Sequence, residues 1–304
     1  MPLGYPENYN YDRLKDMETE MDLSDIKTIR SVLTRHGFNI SKSLGQNFLI
    51  NPEICPRMAE ECGAEKGVGV LEIGPGVGVL TAELAKRADR VVSIELDKRL
   101  LPVLGETLSN YDNVKIVNED ILKTDLAKLI ETEFHGMEVA VCANLPYYIT
   151  SPVVMRFLEE RLPIRSVTVM VQKEAAERLC ALPGTRSCGA VSAAVRYFAE
   201  PEILFGVSRE NFFPQPNVDS AVIQLKIRKD PPVKIRMEKD FFALVKAAFG
   251  QRRKTVLNSL AAGLSLDKGT VAAALERAEI NSNARAEQLS MAQLAALSNE
   301  IFEL

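Results

Sequence analysis

The feature that most restricts the fold of this chain is a glycine-rich loop between a short apolar segment and a helical pattern. Val68–Ile73 predicts a buried strand, Gly74-Pro75-Gly76-Val77-Gly78 predicts a turn, and residues 79–87 show helical spacing. A strand that passes through a glycine turn into a helix is typical of an open α/β sheet. The spacing is G-x-G-x-G, whereas a dinucleotide-binding fingerprint needs glycine where Val79 stands. The loop therefore favours a ligand that lacks a pyrophosphate.

Further strands downstream end at polar side chains. They are predicted at residues 90–95, 114–117 and about 138–142. With the glycine loop, they place four positions at the carboxyl ends of strands, namely Gly74, Glu95, Asp120 and Asn144. Open α/β sheets bind ligands at that edge. The Glu95 carboxylate can accept hydrogen bonds from both hydroxyls of a ribose, and Asp120 can accept from an adenine amino group. One such residue alone would be an ordinary helix cap, but four in register predict a nucleoside site.

The run Asn144-Leu145-Pro146-Tyr147 carries groups that can act on the amino group of an adenine. The lone pair of adenine N6 is delocalised into the ring, so the nitrogen is a poor nucleophile until acceptors hold its N–H bonds. The side-chain oxygen of Asn144 and the backbone carbonyl of Pro146 are two such acceptors, rigidly spaced because proline fixes its φ. Tyr147 can stack on the base, which contributes about 1–3 kcal/mol. The tetrapeptide alone also fits an ordinary Asn-x-Pro turn, and the upstream nucleoside site is what favours methylation of adenine.

These motifs resemble those of the ribosomal RNA adenine N6,N6-dimethyltransferases, which use S-adenosylmethionine. The resemblance extends from about Leu44 to Leu289. Its matching runs begin at Leu44 (LGQNFL), Glu72 (EIGPGVGVLT), Glu95, Asp120, Asn144 (NLPY), Phe213 (FPQPNVDS), Phe249 (FGQRRK) and Arg285 (RAEQL). The resemblance implies an α/β fold, a Rossmann-like S-adenosylmethionine-dependent methyltransferase sheet with a small all-helical C-terminal domain. One departure is Cys188-Gly189, where a Tyr-Gly pair is expected, and we expect it to affect local packing rather than catalysis.

The resemblance also implies roles for individual residues. Cofactor binding is implied for Asn47, Leu49, Gly74, Gly76, Glu95, Asp120 and Asn144. Catalytic roles are implied for Asn144, Pro146, Tyr147 and Phe213, and the Phe213 ring is expected to help clasp the target base. No general base is expected before transfer, because the amine becomes acidic only after it gains the methyl group.

Two branches of this family differ in their RNA. One, of the kasugamycin-sensitivity type, converts two adjacent adenines near the 3′ end of 16S ribosomal RNA to N6,N6-dimethyladenosine within a pre-formed small-subunit particle. The other methylates an adenine of 23S ribosomal RNA and confers macrolide resistance. The formal net charge of −4 favours the first, because a protein that docks on an assembled particle can rely on shape and a few basic patches.

Two further interpretations come from other classes of protein. The chain could be a ribosome assembly factor whose methyl transfer is incidental. It could also be a DNA adenine methyltransferase, although those enzymes normally carry proline where Leu145 stands.

Basic residues cluster at three places. Arg252, Arg253 and Lys254 follow an apolar helix and lie within a family motif, so we predict a contact with RNA phosphate or a domain interface there. The other two clusters read as solvated faces, and they are Arg228-Lys229 with Lys234 and Arg236, and Arg30 with Arg35 and Lys42.

Composition restricts the remaining alternatives. The 304 residues are 46% hydrophobic and 26% charged, which favours one large domain and a smaller one. No apolar run approaches the length of a membrane helix and the N-terminus lacks the pattern of a signal peptide, so a cytoplasmic location and no membrane are predicted. The five cysteines form no C-x-x-C pair, which argues against a disulfide framework or a zinc site. His36 and His135 are interpreted as surface residues, no metal is expected, and a monomer is the default.

The chain is predicted to divide into a mobile N-terminal tail (1–22), the methyltransferase domain (23–229) and a helical C-terminal domain (233–304), with Asp230-Pro231-Pro232 as the linker. Ser24 is the predicted N-cap of a first helix that ends at Gly37. Later strands are predicted at 167–171, 203–207 and 218–227, the last two as an antiparallel pair at the sheet edge. The C-terminal helices are predicted at 238–249, 255–264, 268–278 and 286–302.

Overall fold

The computed structural model describes residues 21–41 and 45–303, and a seven-stranded sheet forms its centre. The strands of the chain are β1 Phe48–Leu49, β2 Val68–Ile73, β3 Arg90–Ile94, β4 Val114–Val117, β5 Glu138–Asn144, β6 Ser166–Gln172, β7 Ala199–Val207, β8 Phe212–Phe213 and β9 Ser220–Ile227. The order in the main sheet is β4-β3-β2-β5-β6-β9-β7, while β1 and β8 form a separate antiparallel pair. β2 to β6 pair in parallel, which confirms the predicted open α/β sheet.

Helices cover both faces of this sheet. Those before and between the strands are α1 Ile26–Arg35, α2 Ile54–Glu61, α3 Val79–Ala85, α4 Leu101–Thr107, α5 Leu126–Phe134, α6 Thr150–Glu159, α7 Lys173–Leu179 and α8 Ala190–Phe198. Those after the last strand are α9 Glu238–Phe249, α10 Val256–Gly263, α11 Lys268–Arg277 and α12 Met291–Ile301. All six residues of β2 are buried, because alternate side chains enter the hydrophobic cores on opposite faces. Burial on both faces explains why the strand reads as one continuous apolar run.

The far edge of the sheet is antiparallel. β9 pairs antiparallel with both β6 and β7, which confirms the predicted pair of edge strands. Both strands begin elsewhere than expected: β7 starts at Ala199 rather than Ile203, and β9 at Ser220 rather than Val218. Val218 is 43% exposed, and the Asp219 carboxylate accepts a hydrogen bond from the Arg209 amide, so this segment is a turn and not a strand.

The four C-terminal helices pack on the sheet as well as on one another. One hydrophobic core runs from β5 and β6 through α8 into α9 to α12. At the junction, the Tyr197 hydroxyl donates to Glu238 at 2.8 Å, and its ring packs against Phe198, Phe241 and Phe242 with centroids 5.1 to 5.4 Å away. The C-terminal segment is helical, as expected, and the exact limits of the domains stay a prediction. Almost all of the predicted N-terminal tail lies outside the described residues.

Two helix boundaries were predicted wrongly. The N-cap of α1 is Asp25 and not Ser24, because the Asp25 carboxylate accepts from the Thr28 amide at 2.9 Å. The last helix does not begin at Ala286, where there is only a short 3₁₀ turn. It begins after Ser290, whose hydroxyl and the Gln293 side chain form a capping box.

The histidines differ from each other. His135 is exposed, as expected, and caps the end of α5. His36 is half-buried, and its Nε2 lies 2.6 Å from a carboxylate oxygen of Glu106, so it lies at the surface in contact with an acidic side chain. Among the described residues, no helix is long and apolar enough to cross a membrane. The same part of the chain contains no group of acidic, histidine and cysteine side chains that could hold a metal ion.

Candidate active site

A cavity lies at the carboxyl ends of β2, β3 and β5, where the strand order reverses between β2 and β5. Open α/β sheets bind ligands at such a switch point. Every residue predicted to bind the cofactor lines this cavity, namely Asn47, Leu49, Gly74, Gly76, Glu95, Asp120 and Asn144. Of the residues predicted to act on the target, those that line it are Asn144, Pro146 and Tyr147. The fold therefore brings the two predicted groups to one place.

The glycine loop leaves free space beside β2. Gly74 and Gly76 have positive φ values of 71° and 60°, a conformation that residues with a side chain rarely adopt. A Cβ on Gly74 would have no other atom within 4 Å, whereas a Cβ on Gly76 would lie 3.2 Å from the Phe48 ring. A ligand can thus approach the backbone at Gly74 closely, and Gly76 is required for packing against the N-terminal segment.

Glu95 is a buried carboxylate at the end of β3, with 6% of its surface exposed. Its Oε1 accepts a hydrogen bond from the Asp97 amide at 2.7 Å. Burial raises the pKa of Glu95, and hydrogen bonds from the amides of Asp97, Gly76 and Leu96 oppose that rise. These amides fix the carboxylate at the cavity wall, where its remaining lone pairs can accept hydrogen bonds from hydroxyl groups.

Asp120 follows β4 and is partly engaged by its own loop. Its Oδ1 accepts from the Leu122 amide at 3.0 Å, and its Oδ2 lies 3.4 Å from Lys123 Nζ. A carboxylate offers about four acceptor positions, so Asp120 can still accept a hydrogen bond from a ligand in the cavity.

Glu72 is a cavity residue that the sequence analysis quoted only as part of a motif. Its side chain is 1% exposed, and its Oε2 accepts hydrogen bonds from the hydroxyls of Thr81 at 2.7 Å and Ser93 at 2.6 Å. Its Oε1 is buried and, among residues 21–41 and 45–303, has no hydrogen-bond partner. Burial raises the pKa of Glu72 to about 7. An unpaired buried carboxylate oxygen is costly, and a positively charged ligand in the cavity would satisfy it. The available signal was an acidic residue inside an otherwise apolar strand.

Asn144 ends β5, and its carboxamide is oriented by the N-terminal segment. Its Nδ2 donates to the backbone carbonyl of Asn47 at 3.3 Å, while the Asn47 side chain donates to the Gly45 carbonyl at 3.1 Å. In the described part of the chain, no donor contacts Asn144 Oδ1. The amide nitrogen is therefore occupied and the oxygen is free to accept, as methylation of an amine requires.

The loop after Asn144 forms a 3₁₀ turn. The Pro146 carbonyl accepts from the Ile149 amide at 3.1 Å, which uses one of its two lone pairs and leaves the other. The Tyr147 hydroxyl lies 2.9 Å from the hydroxyl of Ser220 at the start of β9. Burial raises the pKa of the half-buried Tyr147 phenol. Ser220 was not identified from the sequence, and it fixes the position of the Tyr147 ring.

Phe213 does not line the cavity, although its neighbour Phe212 does. Phe213 pairs with Phe48 across β1 and β8, and the guanidinium carbon of Arg30 lies over its ring, 4.7 Å from the centroid. The Arg30 cation covers one side of the Phe213 ring, so a base cannot stack on that side. That Phe213 clasps the target base stays a prediction.

Arg252, Arg253 and Lys254 are exposed in the loop between α9 and α10, away from the cavity. Arg252 donates to the Arg186 carbonyl at 3.0 Å and lies 3.8 Å from Glu287. Cys188 is buried in the same groove as Arg252, just before α8, and it does not line the cavity either. This groove lies between the segment from α7 to α8 and the C-terminal helices.

The chemistry of the cavity selects a class of ligand. The unpaired oxygen of Glu72 favours a ligand with a positive charge. The carboxylates of Glu95 and Asp120 can accept hydrogen bonds from hydroxyl and amino groups, and the free space beside Gly74 admits a compact group. S-adenosylmethionine is an adenosine that carries a sulfonium and an ammonium group, and it fits all three. By fold and by cavity, the protein is an S-adenosylmethionine-dependent methyltransferase.

Comparison with known sequences identifies the family. Residues 37–303 match the family model described as ribosomal RNA adenine dimethylase, and the chain belongs to that family. Over 280 residues it is 46% identical to "Ribosomal RNA small subunit methyltransferase A" of Alkaliphilus oremlandii, covering 92% of this chain and 98% of the relative. Over 284 residues it is 47% identical to the protein of the same name from Geobacillus sp. strain WCH70, with the same coverage of 92% and 98%.

Solved structures agree with this family. A dimethyladenosine transferase from Plasmodium falciparum matches with a TM-score of 0.67 and 25% identity, over 82% of this chain and 95% of that one. The 23S rRNA methyltransferase ErmE matches with a TM-score of 0.66 and 29% identity, over 84% and 99%. The protein is thus an rRNA adenine dimethyltransferase, and the interpretation as a DNA adenine methyltransferase is set aside.

Proposed function

We propose that the protein transfers methyl groups from S-adenosylmethionine to N6 of two adjacent adenines near the 3′ end of 16S ribosomal RNA, giving N6,N6-dimethyladenosine during small-subunit biogenesis. The observation that carries the chemistry is the Asn144 carboxamide, whose nitrogen is held by the Asn47 carbonyl at the edge of the cofactor cavity. The RNA is proposed from the two relatives at 46% and 47% identity, both named for the small subunit.

Cofactor binding is proposed for the residues along the strand ends. Glu95 accepts from the ribose hydroxyls, Asp120 accepts from the adenine amino group, and Glu72 neutralises the positive charge. Asn47 and Leu49 cover the methionine portion, while Gly74 and Gly76 shape the floor. When bound, S-adenosylmethionine supplies an electrophilic methyl group.

The target adenine is held by the loop after β5. Asn144 Oδ1 and the free lone pair of the Pro146 carbonyl accept the two N6 hydrogens, so that the nitrogen lone pair becomes available. Tyr147, fixed by Ser220, stacks on the base. The base must leave its stack in the RNA, which costs a few kcal/mol and less in a loop. The contribution of the protein is therefore positioning and electrostatic complementarity.

Docking on RNA is proposed for the exposed loop of Arg252, Arg253 and Lys254 and for the C-terminal helices behind it. A monomer that binds an immature small-subunit particle in the cytoplasm accounts for the acidic net charge of −4. In such a particle, shape and a few basic contacts suffice.

The test is methylation of small subunits isolated from cells that lack this modification, with mass-spectrometric mapping of the modified nucleotides. We expect two methyl groups on each of two adjacent adenines near the 3′ end of 16S RNA, and none on large subunits or duplex DNA. Modification confined to an adenine of 23S RNA would replace the proposal with the macrolide-resistance type. Normal subunit maturation with a folded Asn144→Ala variant would assign the essential role to assembly.

A further inference from the structure

The structure separates Arg30 from Arg35 of its own basic cluster and from the arginines of the cluster at residues 228–236. Arg35 forms an ion pair with Glu106, Arg228 with Glu200, and Arg236 with Glu303. Arg30 is exposed, and in residues 21–41 and 45–303 no carboxylate forms an ion pair with it. Its guanidinium carbon lies 4.7 Å from the centroid of the Phe213 ring. Arg30 is therefore a cation held in place by an aromatic ring and not by an acid.

The ring beneath Arg30 belongs to a strand pair that borders the cavity, although Phe213 itself does not line it. Phe213 pairs with Phe48 in the small sheet formed by β1 and β8, and Leu49 pairs with Phe212. Phe48, Leu49 and Phe212 line the cavity. Arg30 thus lies over one residue of the strand pair whose three other side chains line the cavity.

The chemistry of this arrangement favours a phosphate. A guanidinium over an aromatic ring is attracted by the ring electrons, and its N–H groups remain available at the periphery. Guanidinium groups bind phosphate oxygens through paired, charge-assisted hydrogen bonds. A side chain that is already positioned loses less conformational entropy on binding than a free arginine does.

We propose that Arg30 binds a backbone phosphate of the RNA strand beside the nucleotide whose base enters the cavity. The inference rests on the proposed function and adds a positioning residue to it. It also gives Phe213 a different task from the expected one, because the ring holds Arg30 and does not clasp the base with that face.

The test compares two variants of Arg30 that separate charge from packing. Arg30→Gln keeps much of the stem over Phe213 and removes the charge, and Arg30→Lys keeps the charge. Affinity for small subunits that lack the modification is measured by filter binding over a range of salt concentrations, with S-adenosylhomocysteine present. For Arg30→Gln we expect about tenfold weaker binding and a plot of log affinity against log salt shallower by about one unit. Arg30→Lys should keep the native slope.

Arg57 provides a matched control. Arg57 lies on α2 and does not line the cavity. Its guanidinium carbon lies 3.8 Å from the centroid of the Phe205 ring. Arg57→Gln removes the same kind of contact, together with an ion pair to Glu61 at 3.8 Å, and should leave RNA affinity, its salt dependence and the affinity for S-adenosylhomocysteine unchanged.

The outcomes are distinguishable. If native protein methylates small subunits and Arg30→Gln binds them with native affinity and native salt slope, this inference fails and the proposed function stands. A lower melting temperature for Arg30→Gln without any change in salt slope would show that Arg30 only holds α1 in place. If native protein does not methylate small subunits at all, the proposed function itself fails.

Discussion

The two halves of the cavity are built differently. In the cofactor half, Gly74 and Glu95 directly follow their own strands, and Asp120 lies three residues after the end of its strand. The target half is assembled from segments far apart in the chain: Asn144 contacts Asn47 across 97 positions, and Tyr147 contacts Ser220 across 73. The comparison teaches that the sites proposed for the ribose and adenine of the donor depend on local turns of one sheet, whereas transfer depends on long-range contacts that only the complete fold provides. Substitutions in the two halves should therefore have separable effects.

The largest effect is expected in the target half. Asn144→Ala removes the acceptor for the N6 hydrogens and should lower single-turnover methyl transfer about a thousandfold, as loss of a preorganised polar group at a reacting centre does. Cofactor affinity measured by calorimetry should stay nearly native. A variant that binds no cofactor would show that the two halves are not separable.

The next effect comes from Glu72 in the cofactor half. Its pKa is raised to about 7 from the usual 4.5, so the folded state holds the proton more tightly than the unfolded chain does. Stability of the ligand-free protein should then fall as the pH rises from about 4.5 to about 7. Glu72→Gln lacks this dependence and should be more stable than native protein above pH 7, by up to about 3 kcal/mol.

The measurement for Glu72 is urea unfolding at about pH 5 and about pH 8 without ligand, together with calorimetry. Cofactor affinity of Glu72→Gln should be weaker than native, because the carboxylate that destabilises the empty cavity is the one that attracts the positive charge. Equal pH dependence of stability in the two proteins would exclude this role.

Substitution of Glu95 should weaken cofactor binding and leave the rate of transfer nearly unchanged, which is the reverse of the effects expected for Asn144. Glu95→Gln replaces a charged acceptor with a neutral one at the ribose and should weaken cofactor binding by about 10- to 100-fold. At saturating cofactor, the rate of transfer should return towards the native value. Glu106→Gln, on the surface beside Arg35, is the matched control and should change neither. A low rate that persists at saturating cofactor would break the division between the halves.

The smallest effect is expected at Ser220. Ser220→Ala removes the partner of the Tyr147 hydroxyl, a hydrogen bond worth about 1 kcal/mol, so kcat/KM for small subunits should fall about fivefold. Tyr147→Phe should have a similar effect, and the double variant should be no worse than either single one. Additive losses would mean that the hydroxyls act independently.

The same division explains what could be predicted from the sequence. The sheet and its ligand-binding edge were predictable because each cofactor residue lies beside the strand that positions it, within an apolar run or a glycine turn. Ser220 and the contact between Asn47 and Asn144 had no local signal, because the partners meet only after β9 and the N-terminal segment pack together. The placement of Phe213 was missed for the same reason: its cation comes from α1.

Helix caps show a second limit. Ser24 and Asp25 are adjacent and both can cap a helix, so composition could not choose between them. The structure assigns the cap to Asp25 because its carboxylate reaches the Thr28 amide. The role of Glu72 in cofactor binding was not predicted, because in the sequence this residue is only one member of the glycine-loop motif. Its unpaired Oε1 at the cavity is visible only in the structure.

The most direct measurement is a crystal structure with S-adenosylhomocysteine and an RNA fragment that carries the target adenine. The account predicts the ribose hydroxyls on Glu95 and adenine N6 at about 3 Å from Asn144 Oδ1, with Asn144 Nδ2 still bound to the Asn47 carbonyl. An adenine bound with N6 directed away from Asn144, or a cofactor seated away from the glycine loop, would contradict it.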